Sequence, residues 1–550
     1  MKKNFETPLK AGETGTSLYL MALTLVATIG GFLFGFDTAV VNGAEKSLVE
    51  LYISRAVDPD NYAYALTLIA QYRILVVMVF FLVYIIIAGL IIRLAELRKG
   101  AVISGILLVC LILFFVNYLK QPVPSRGSAA DIQKIADSVK GFVISSALTG
   151  CIIGGALAGF IAKSLGRRSG LIISAAMITL SAIGAWQPEI LNVFGTLPVY
   201  SFLLYRIIGG IGIGLASLLS PMYIAEISPA SIRGKLVSWN QFAIVTGMVI
   251  IYFVNYMIAR SGNEEWLTTY GWRWMFFSGV IPSVIFLILL LLIPETPRYL
   301  MIKGKDEAAL KTIIKISGMT GALQMREEIR ETLHEKNAPW LSFGLLIIVL
   351  GIILSVFQQF VGINVVLYYA GNIFRNMGSS NDTSLLQTII VGAINMLFTV
   401  IAIFTVDRFG RKPLMITGGL IMGVSMLSLG FAFFFRQTGL VALIFMFLYI
   451  AGFAMSWGPV TWVILSEIFP NSIRGAMSVP VASLWIANLI VSWTFPMLND
   501  NSWLTEKFNH GFSYWIYSLM CILSALFVYK FIPETKGKSL EEIEKLWKKK

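Results

Sequence analysis

The sequence predicts an all-α protein that crosses a membrane about fourteen times, as two like-oriented helical repeats with an extra hairpin inserted into the first. Three observations predict this fold class. Of the 550 residues, 57% are hydrophobic and 13% charged, which leaves too few charges to cover a soluble surface. Apolar runs recur along nearly the whole chain, each about 20 residues long and sufficient for a hydrocarbon core roughly 30 Å thick. Three short polar patterns occur twice, at nearly constant separation.

Taken in order, the apolar runs predict spans near 17–42, 69–92, 101–118, 141–162, 170–187, 199–225, 236–259, 274–293, 341–374, 385–406, 414–435, 440–465, 476–497 and 513–532. The first run has no small-residue cleavage site and contains Asp37, so it reads as a retained span rather than a signal peptide. The net charge of +13 could suggest nucleic acid, but its placement argues for topology instead. With the N-terminus inside, about 30 Lys and Arg fall on the side expected to be cytoplasmic. Arg93, Arg98 and Lys99, Lys163, Arg167 and Arg168, Arg233 and Lys235, the 295–340 linker, Arg408, Arg411 and Lys412, and the Lys-rich tail all lie there. Both termini are therefore expected in the cytoplasm. Three cysteines inside apolar runs and two histidines suggest no disulfide framework, metal site or cofactor, and no nucleophile or paired-acid constellation suggests an enzyme.

The repeat is read from three matches. Gly166-Arg167-Arg168 returns as Gly410-Arg411-Lys412, a shift of 244 residues. Glu226 to Gly234 returns as Glu467 to Gly475, a shift of 241, and Pro294-Glu295-Thr296 returns as Pro533-Glu534-Thr535, a shift of 239. All fall on the same side, so the two copies run parallel about an axis along the membrane normal. Asp37 and Asn364 occupy equivalent places in the first spans, but at a shift of 327. The surplus measures an insertion within about 45–139, and its two apolar runs, 69–92 and 101–118, form a hairpin joined by a basic turn. Two added spans preserve the orientation of everything downstream. The expected division is thus a first bundle over 1–293, a cytoplasmic linker of amphipathic helices over 294–340, and a second bundle with a short tail over 341–550. The polar stretches 45–68 and 119–140 are expected to connect a peripheral hairpin to the bundle. Its all-round apolar helices suit lipid or a partner subunit, and oligomerisation through them is left open.

Asp37 and Arg206 are ionisable residues deep in apolar spans, where an unpaired charge is costly. They read either as a structural ion pair or as a carboxylate whose proton occupancy balances burial against the guanidinium. Gln241, Gln358, Gln359, Asn364 and Asn395 are neutral amides at membrane depth. They read as helix–helix contacts or as partners for a hydroxyl-rich neutral ligand, since an amide both donates and accepts. Trp462 and Trp485 read as interfacial anchors or as a ligand surface, and Phe34 and Tyr368 as packing residues or as part of that surface. The glycines from Gly209 to Gly214 lie inside an apolar helix, which favours close helix packing over a nucleotide loop. Arg167, Glu226, Arg233, Arg411, Glu467 and Arg474 read by default as solvated loop charges, while their duplication suggests a gate on the cytoplasmic side made of ion pairs between the bundles. The first copy departs from the second, with Lys163-Ser164 where the second has Asp407-Arg408.

The paired Gly-Arg-Arg/Lys, Glu-x-x-Pro-x-x-x-Arg-Gly and Pro-Glu-Thr motifs resemble the sugar porter family of the major facilitator superfamily. So do Phe34 to Val40, Asn240 to Ile244 and Gln358 to Tyr369. The resemblance covers both repeats except roughly 45–139 and is nearest to members that carry a pentose such as D-xylose with a proton. It implies the major facilitator fold, a bacterial inner-membrane location, and uptake of a small sugar by alternating access. It further implies that the five amides, Trp462, Trp485, Phe34 and Tyr368 bind sugar, and that Asp37 with Arg206 couples transport to protons. Passive facilitators of the family carry Asn where this chain has Asp37. A passive uniporter and a transporter-like sugar sensor are the rival readings.

Overall fold

The computed structural model describes residues 17–94, 97–126, 128–192, 195–229, 232–333 and 339–536. Among these, fourteen helices are long and apolar enough to span a membrane. In chain order they are α1 (Leu18–Val57), α2 (Pro59–Ile92), α3 (Lys99–Lys120), α4 (Ala130–Ser164), α5 (Arg167–Trp186), α6 (Pro198–Ile227) and α7 (Arg233–Ala259), then α8 (Glu264–Leu292), α9 (Leu345–Asn376), α10 (Asn381–Val406), α11 (Arg411–Phe434), α12 (Leu440–Ile468), α13 (Gly475–Asn499) and α14 (Gly511–Phe531). Within the first bundle α4 packs on α6, α5 on α6 and α1 on α7; within the second, α11 packs on α14 and α9 on α13. The bundles meet along α4 against α13 and α7 against α10. Small residues permit the close approaches: a Cβ on Gly210 would lie 1.9 Å from the Ala147 carbonyl oxygen. Packing is thus the role of the glycine run in α6.

The stretches 45–68 and 119–140 depart from expectation. Residues 45–57 continue α1 through a π-helical segment, Val49–Ser54, and a last α-helical turn, Arg55–Val57, and Tyr62–Leu94 is already helical five residues later. Likewise the helix containing α4 begins at Ala129. Polar residues lowered the apolar density there, but they mark helix faces rather than loops. The Tyr64 hydroxyl donates to the Tyr52 carbonyl at 2.9 Å, Tyr52 to Glu189 Oε1 at 2.9 Å, and Tyr200 to the Leu68 carbonyl at 2.6 Å. Among the described residues of these stretches, Asp58, 121–126 and 128 are non-helical, and the Tyr62 hydroxyl holds the second connection through Pro124 at 2.7 Å.

The inserted hairpin, α2 and α3, flanks the bundles. Ile85, Leu113 and Phe114 are each more than 60% exposed, as lipid-facing side chains are. Its inner face grips α4 and α13: Trp493 Nε1 donates to the Tyr72 hydroxyl at 3.1 Å and to the Ser138 carbonyl at 3.0 Å, and Phe80 packs 6.1 Å from the Trp493 ring. Arg73 donates to the carbonyls of Gln121 and Pro122 at 2.6 and 3.1 Å, closing the far end of α3. The side chains of the basic turn, 93–98, lie outside the described residues. The linker folds into helices Pro297–Ile302 and Asp306–Leu333; residues 334–338 and the tail from 537 lie outside the described residues.

Candidate ligand and proton site

Two spans of the second bundle are broken where ligand groups are expected. In α9 the helix stops at Phe360, turns through Gly362 at φ 93°, and resumes at Ile363. A β-carbon at Gly362 would press within 2.7 Å of the Tyr517 ring, so both the backbone conformation and the space require glycine. The break frees the Val361 carbonyl, which accepts from the Tyr449 hydroxyl at 2.8 Å. In α12 the helix breaks at Ser456 between Met455 and Trp457. Irregular backbone at this depth is tolerated where it is buried in protein or lines a cavity.

The two breaks are joined by amides. Gln358 Nε2 donates to the Trp457 carbonyl at 3.4 Å, Gln359 Nε2 to Gln358 Oε1 at 3.0 Å, and Asn364 Nδ2 to Gln359 Oε1. Each amide retains donors or acceptors for another partner. Asn395, 6% exposed, faces Met248 across the α7–α10 contact, with Nδ2 4.0 Å from the sulfur. Trp485 is buried on α13 against Phe34 of α1, ring centres 5.5 Å apart and edge to face, so an aromatic wall crosses the bundle interface. The Trp485 Nε1 donor is buried without a hydrogen-bond partner, a state that costs free energy unless a ligand or water accepts from it. Gln241 on α7 and Trp462 on α12 are half-buried; among the described residues no hydrogen bond or ring contact ties them to the amide chain.

Asp37 and Arg206 do meet. Arg206 Nη1 is bonded to Asp37 Oδ1, its Nη2 lies 3.4 Å from the Asp37 carbonyl, and its guanidinium stands 5.1 Å from the centre of the Phe276 ring. Side-chain exposure is 3% for Arg206 and 16% for Asp37. Asp37 Oδ2 and Arg206 Nε are buried with no partner. Two small cavities flank the pair. One is lined by Phe36, Ile178, Ala182, Phe276 and Gly279 with the pair itself, the other by Phe34, Thr38, Cys151 and Tyr368 with the pair. The second brings four sequence-predicted residues, Phe34, Asp37, Arg206 and Tyr368, to one space.

The duplicated motifs form matching structures at one end of each bundle. In the first, Arg167 Nη2 meets Glu226 Oε1 at 2.8 Å, Thr296 Oγ1 donates to Glu226 Oε2 at 2.7 Å, and Glu295 accepts from the backbone N–H groups of Arg167 and Arg168 at 3.1–3.2 Å. In the second, Arg411 Nη2 meets Glu467 Oε1 at 3.0 Å, Thr535 donates to Glu467 at 2.6 Å, and Glu534 accepts from the N–H groups of Arg411 and Lys412 at 3.1 and 3.0 Å. A carboxylate thus caps each helix start, where the helix dipole favours negative charge. Gly166 and Gly410 make the preceding turn at φ 100° and 92°. These ion pairs close within each bundle, whereas the sequence reading expected pairs between bundles. The reason is local: both members of each pair belong to one copy of the repeat and are tied to the same capped helix. Arg233 is exposed, and the Arg474 side chain lies outside the described residues.

Three polar residues of this neighbourhood escaped the sequence reading. Asn42 donates to the carbonyls of Leu367 and Tyr368 at 3.2 and 3.3 Å, and the Tyr252 hydroxyl reaches the Leu367 carbonyl at 3.1 Å, so both tie α1 and α7 to the second half of α9. Asn488, buried one turn beyond Trp485, accepts from Ser492 Oγ at 3.1 Å. Its spacing from Trp485 on one helix face was the available signal.

Known proteins share this architecture. The D-xylose-proton symporter of Escherichia coli K12 is 48% identical over 545 residues, covering 96% of each chain. The glucose facilitated diffusion protein of Zymomonas mobilis is 40% identical, covering 84% of this chain and 98% of that one. The arabinose-proton symporter of Bacillus subtilis is 38% identical, covering 76% and 89%. The structure of the E. coli xylose transporter in an inward-open conformation matches with a TM-score of 0.74 at 47% identity, over 96% of this chain and all of that one. The family model described as Sugar (and other) transporter matches residues 23–547, through both bundles and the linker. With fourteen spans, a duplicated set of capped helices and an amide-lined break at membrane depth, this chain belongs to the sugar transporter family.

Proposed function

We propose that this chain imports a monosaccharide, a pentose such as D-xylose, together with a proton, by alternating access in a bacterial inner membrane with both termini cytoplasmic. The observation that carries the reading is the buried Asp37–Arg206 pair at the wall of a cavity shared with Phe34 and Tyr368. A carboxylate there can trade its arginine for a proton as the cavity changes access, and so link the two loads. The relatives' names support the load: two of them are symporters of a pentose with a proton.

In this reading Gln358, Gln359, Asn364, Asn395 and Gln241 meet sugar hydroxyls. Trp462, Trp485 and Phe34 pack on the C–H face of the ring, and Tyr368 closes over it. The bundles comprise 1–293 and 341–550, and the 294–340 helices tie them on the cytoplasmic side. Arg167, Glu226, Arg233, Arg411, Glu467 and Arg474 form the gate on that side. The capped motifs brace each bundle as a rigid body, and the gate works by docking those bodies. The hydrogen bonds of Asn42 and Tyr252 join the bundles at the end opposite the motifs, which is the contact that would have to part for sugar to enter from outside.

Passive facilitation is the second reading, favoured by the facilitated-diffusion relative. Counterflow in proteoliposomes with labelled pentoses and hexoses, with and without a proton gradient, separates the two. Symport requires gradient-dependent accumulation; counterflow without accumulation leaves the facilitator.

A further inference from the structure

A four-residue charge cluster spans the two bundles at the end away from the motifs, outside the sugar and proton sites. Glu45 on α1 and Lys140 on α4 belong to the first bundle. Arg375 near the end of α9 and Asp500, which follows the last residue of α13, belong to the second. Lys140 Nζ lies 3.3 Å from Glu45 Oε1 and 2.8 Å from Asp500 Oδ2, and Arg375 Nη2 is paired with Glu45 Oε2. Glu45 is 3% exposed and Lys140 10%. Asn499 Nδ2 holds the other Asp500 oxygen at 2.7 Å.

The arrangement is costly unless it serves the closed state. An acid at a helix C-terminus opposes the helix dipole, so Asp500 depends on Lys140. A buried carboxylate such as Glu45 needs cations to offset its desolvation, and it has one from each bundle. The two acids and two bases balance in charge, and a further buried carboxyl, Asp137, stands beside Lys140 and Asp500 and is held by Gln133 Nε2 at 2.8 Å. Of its three ion pairs, two cross between bundles and one, Glu45–Lys140, lies within the first. Separation of the bundles at this end would leave the first with a neutral pair and give Arg375 and Asp500 to water. The cluster can therefore be broken and remade with Glu45 and Lys140 still paired to each other. The neutral Asn42 bonds at the same end have no such charge dependence. A Cβ at Gly371 would meet both Arg375 Nη1 and Asn42 Oδ1 at 3.3 Å, so a small residue lets the guanidinium and the amide pack side by side.

We infer that Glu45, Lys140, Arg375 and Asp500 are positioning residues that hold the outer end shut and set the balance between outward-facing and inward-facing states, and so the sugar affinity presented on each side. This rests on the alternating-access reading above. The test uses Arg375→Gln and Asp500→Asn, singly and together, because each removes a cross-bundle pair while leaving Glu45 with Lys140. The full-length protein is reconstituted. Amide hydrogen exchange is followed in segments 41–48 and 363–376, and half-saturation for counterflow is measured from each side. The double variant should move the outward-to-inward ratio by about tenfold or more, with faster exchange in both segments and a lower external relative to internal half-saturation. Arg375→Lys, which keeps the charge, should return toward the parent. A merely structural role would instead speed exchange throughout the bundles and leave the ratio of half-saturations alone, and that result overturns the inference. So does a folded double variant with unchanged exchange in the two segments. If the double variant does not fold, Asp500→Asn alone decides by the same two readouts. Absence of counterflow in the parent protein would sink the transport reading, whereas parental counterflow with unmoved variants sinks only the lock.

Discussion

Replacing Asp37 with Asn keeps the shape and one acceptor oxygen of the side chain while removing its ability to carry a proton. Breaking a fully buried ion pair costs about 3–5 kcal/mol. Here the loss should fall below that range, because Asp37 is 16% exposed and Arg206 keeps its contacts with the Asp37 carbonyl and the Phe276 ring. The protein should therefore fold and bind sugar. The functional effect is larger. One proton carried down a potential of 100 mV supplies about 2.3 kcal/mol, and at about 1.4 kcal/mol per factor of ten this sustains roughly 50-fold accumulation. Without a titrating carboxylate the accumulation ratio should collapse to about one, the value for an uncoupled carrier. The assay is uptake of labelled sugar into proteoliposomes under an imposed potential and pH gradient, with counterflow in the same vesicles as the control. An Asp37→Asn protein that still concentrates sugar would refute the assignment of coupling to this carboxylate.

Other expectations follow from particular contacts. Gly166→Ala should lower stability by about 1–3 kcal/mol for the backbone alone, since φ 100° with ψ 170° is a region open essentially to glycine, and more because the new methyl would lie 2.3 Å from Glu295 Oε2. Gly159→Ala, on an open helix face with nothing within 4 Å, should be neutral or stabilising, and thermal unfolding in detergent compares the two. Burial raises the pKa of Glu534, but the backbone N–H groups of Lys536, Arg411, Lys412 and Thr535 outweigh it and hold the carboxyl below its ordinary value. Its stabilising contribution should be complete above the ordinary carboxylate range and fade as pH falls through the lower folded value. Melting curves of the parent and Glu534→Gln should therefore converge on acidification; a gap that widens instead would contradict the capping role. Deleting residues 65–122 should leave sugar binding intact, since the flanks already meet where Tyr62 holds Pro124 and neither cavity beside Asp37 draws on the hairpin. The deletion should lower the melting temperature by removing the Tyr72 and Phe80 contacts with Trp493, and loss of binding in a folded deletion protein would place the hairpin in the transport path.

What the sequence by itself determined rests on strong, local physics. A run of apolar residues long enough to cross hydrocarbon has few alternatives to a helix, so the number and order of spans were legible. The duplicated motifs revealed two parallel bundles, and the change in shift between Asp37 and Asn364 exposed the inserted hairpin. Asp37 and Arg206 stood out for the same reason, since an ionisable residue in an apolar span must find a partner. The tertiary structure decided what depends on distant neighbours. Polar residues at 45–57 and 129–140 dilute the apolar signal and read as connections in the sequence, yet they lie on helix faces that meet Tyr64 and Trp493. Glu45, Lys140, Arg375 and Asp500 lie near span ends, where a lone charge is unremarkable in sequence. Only folding brings four elements together and buries those charges as a cluster. The motif charges went the other way: duplication suggested pairs between bundles, but Arg167 with Glu226 and Arg411 with Glu467 close within each one. Sequence spacing reports which residues share a helix; which of two partners a charge takes is set by where the helices come to rest.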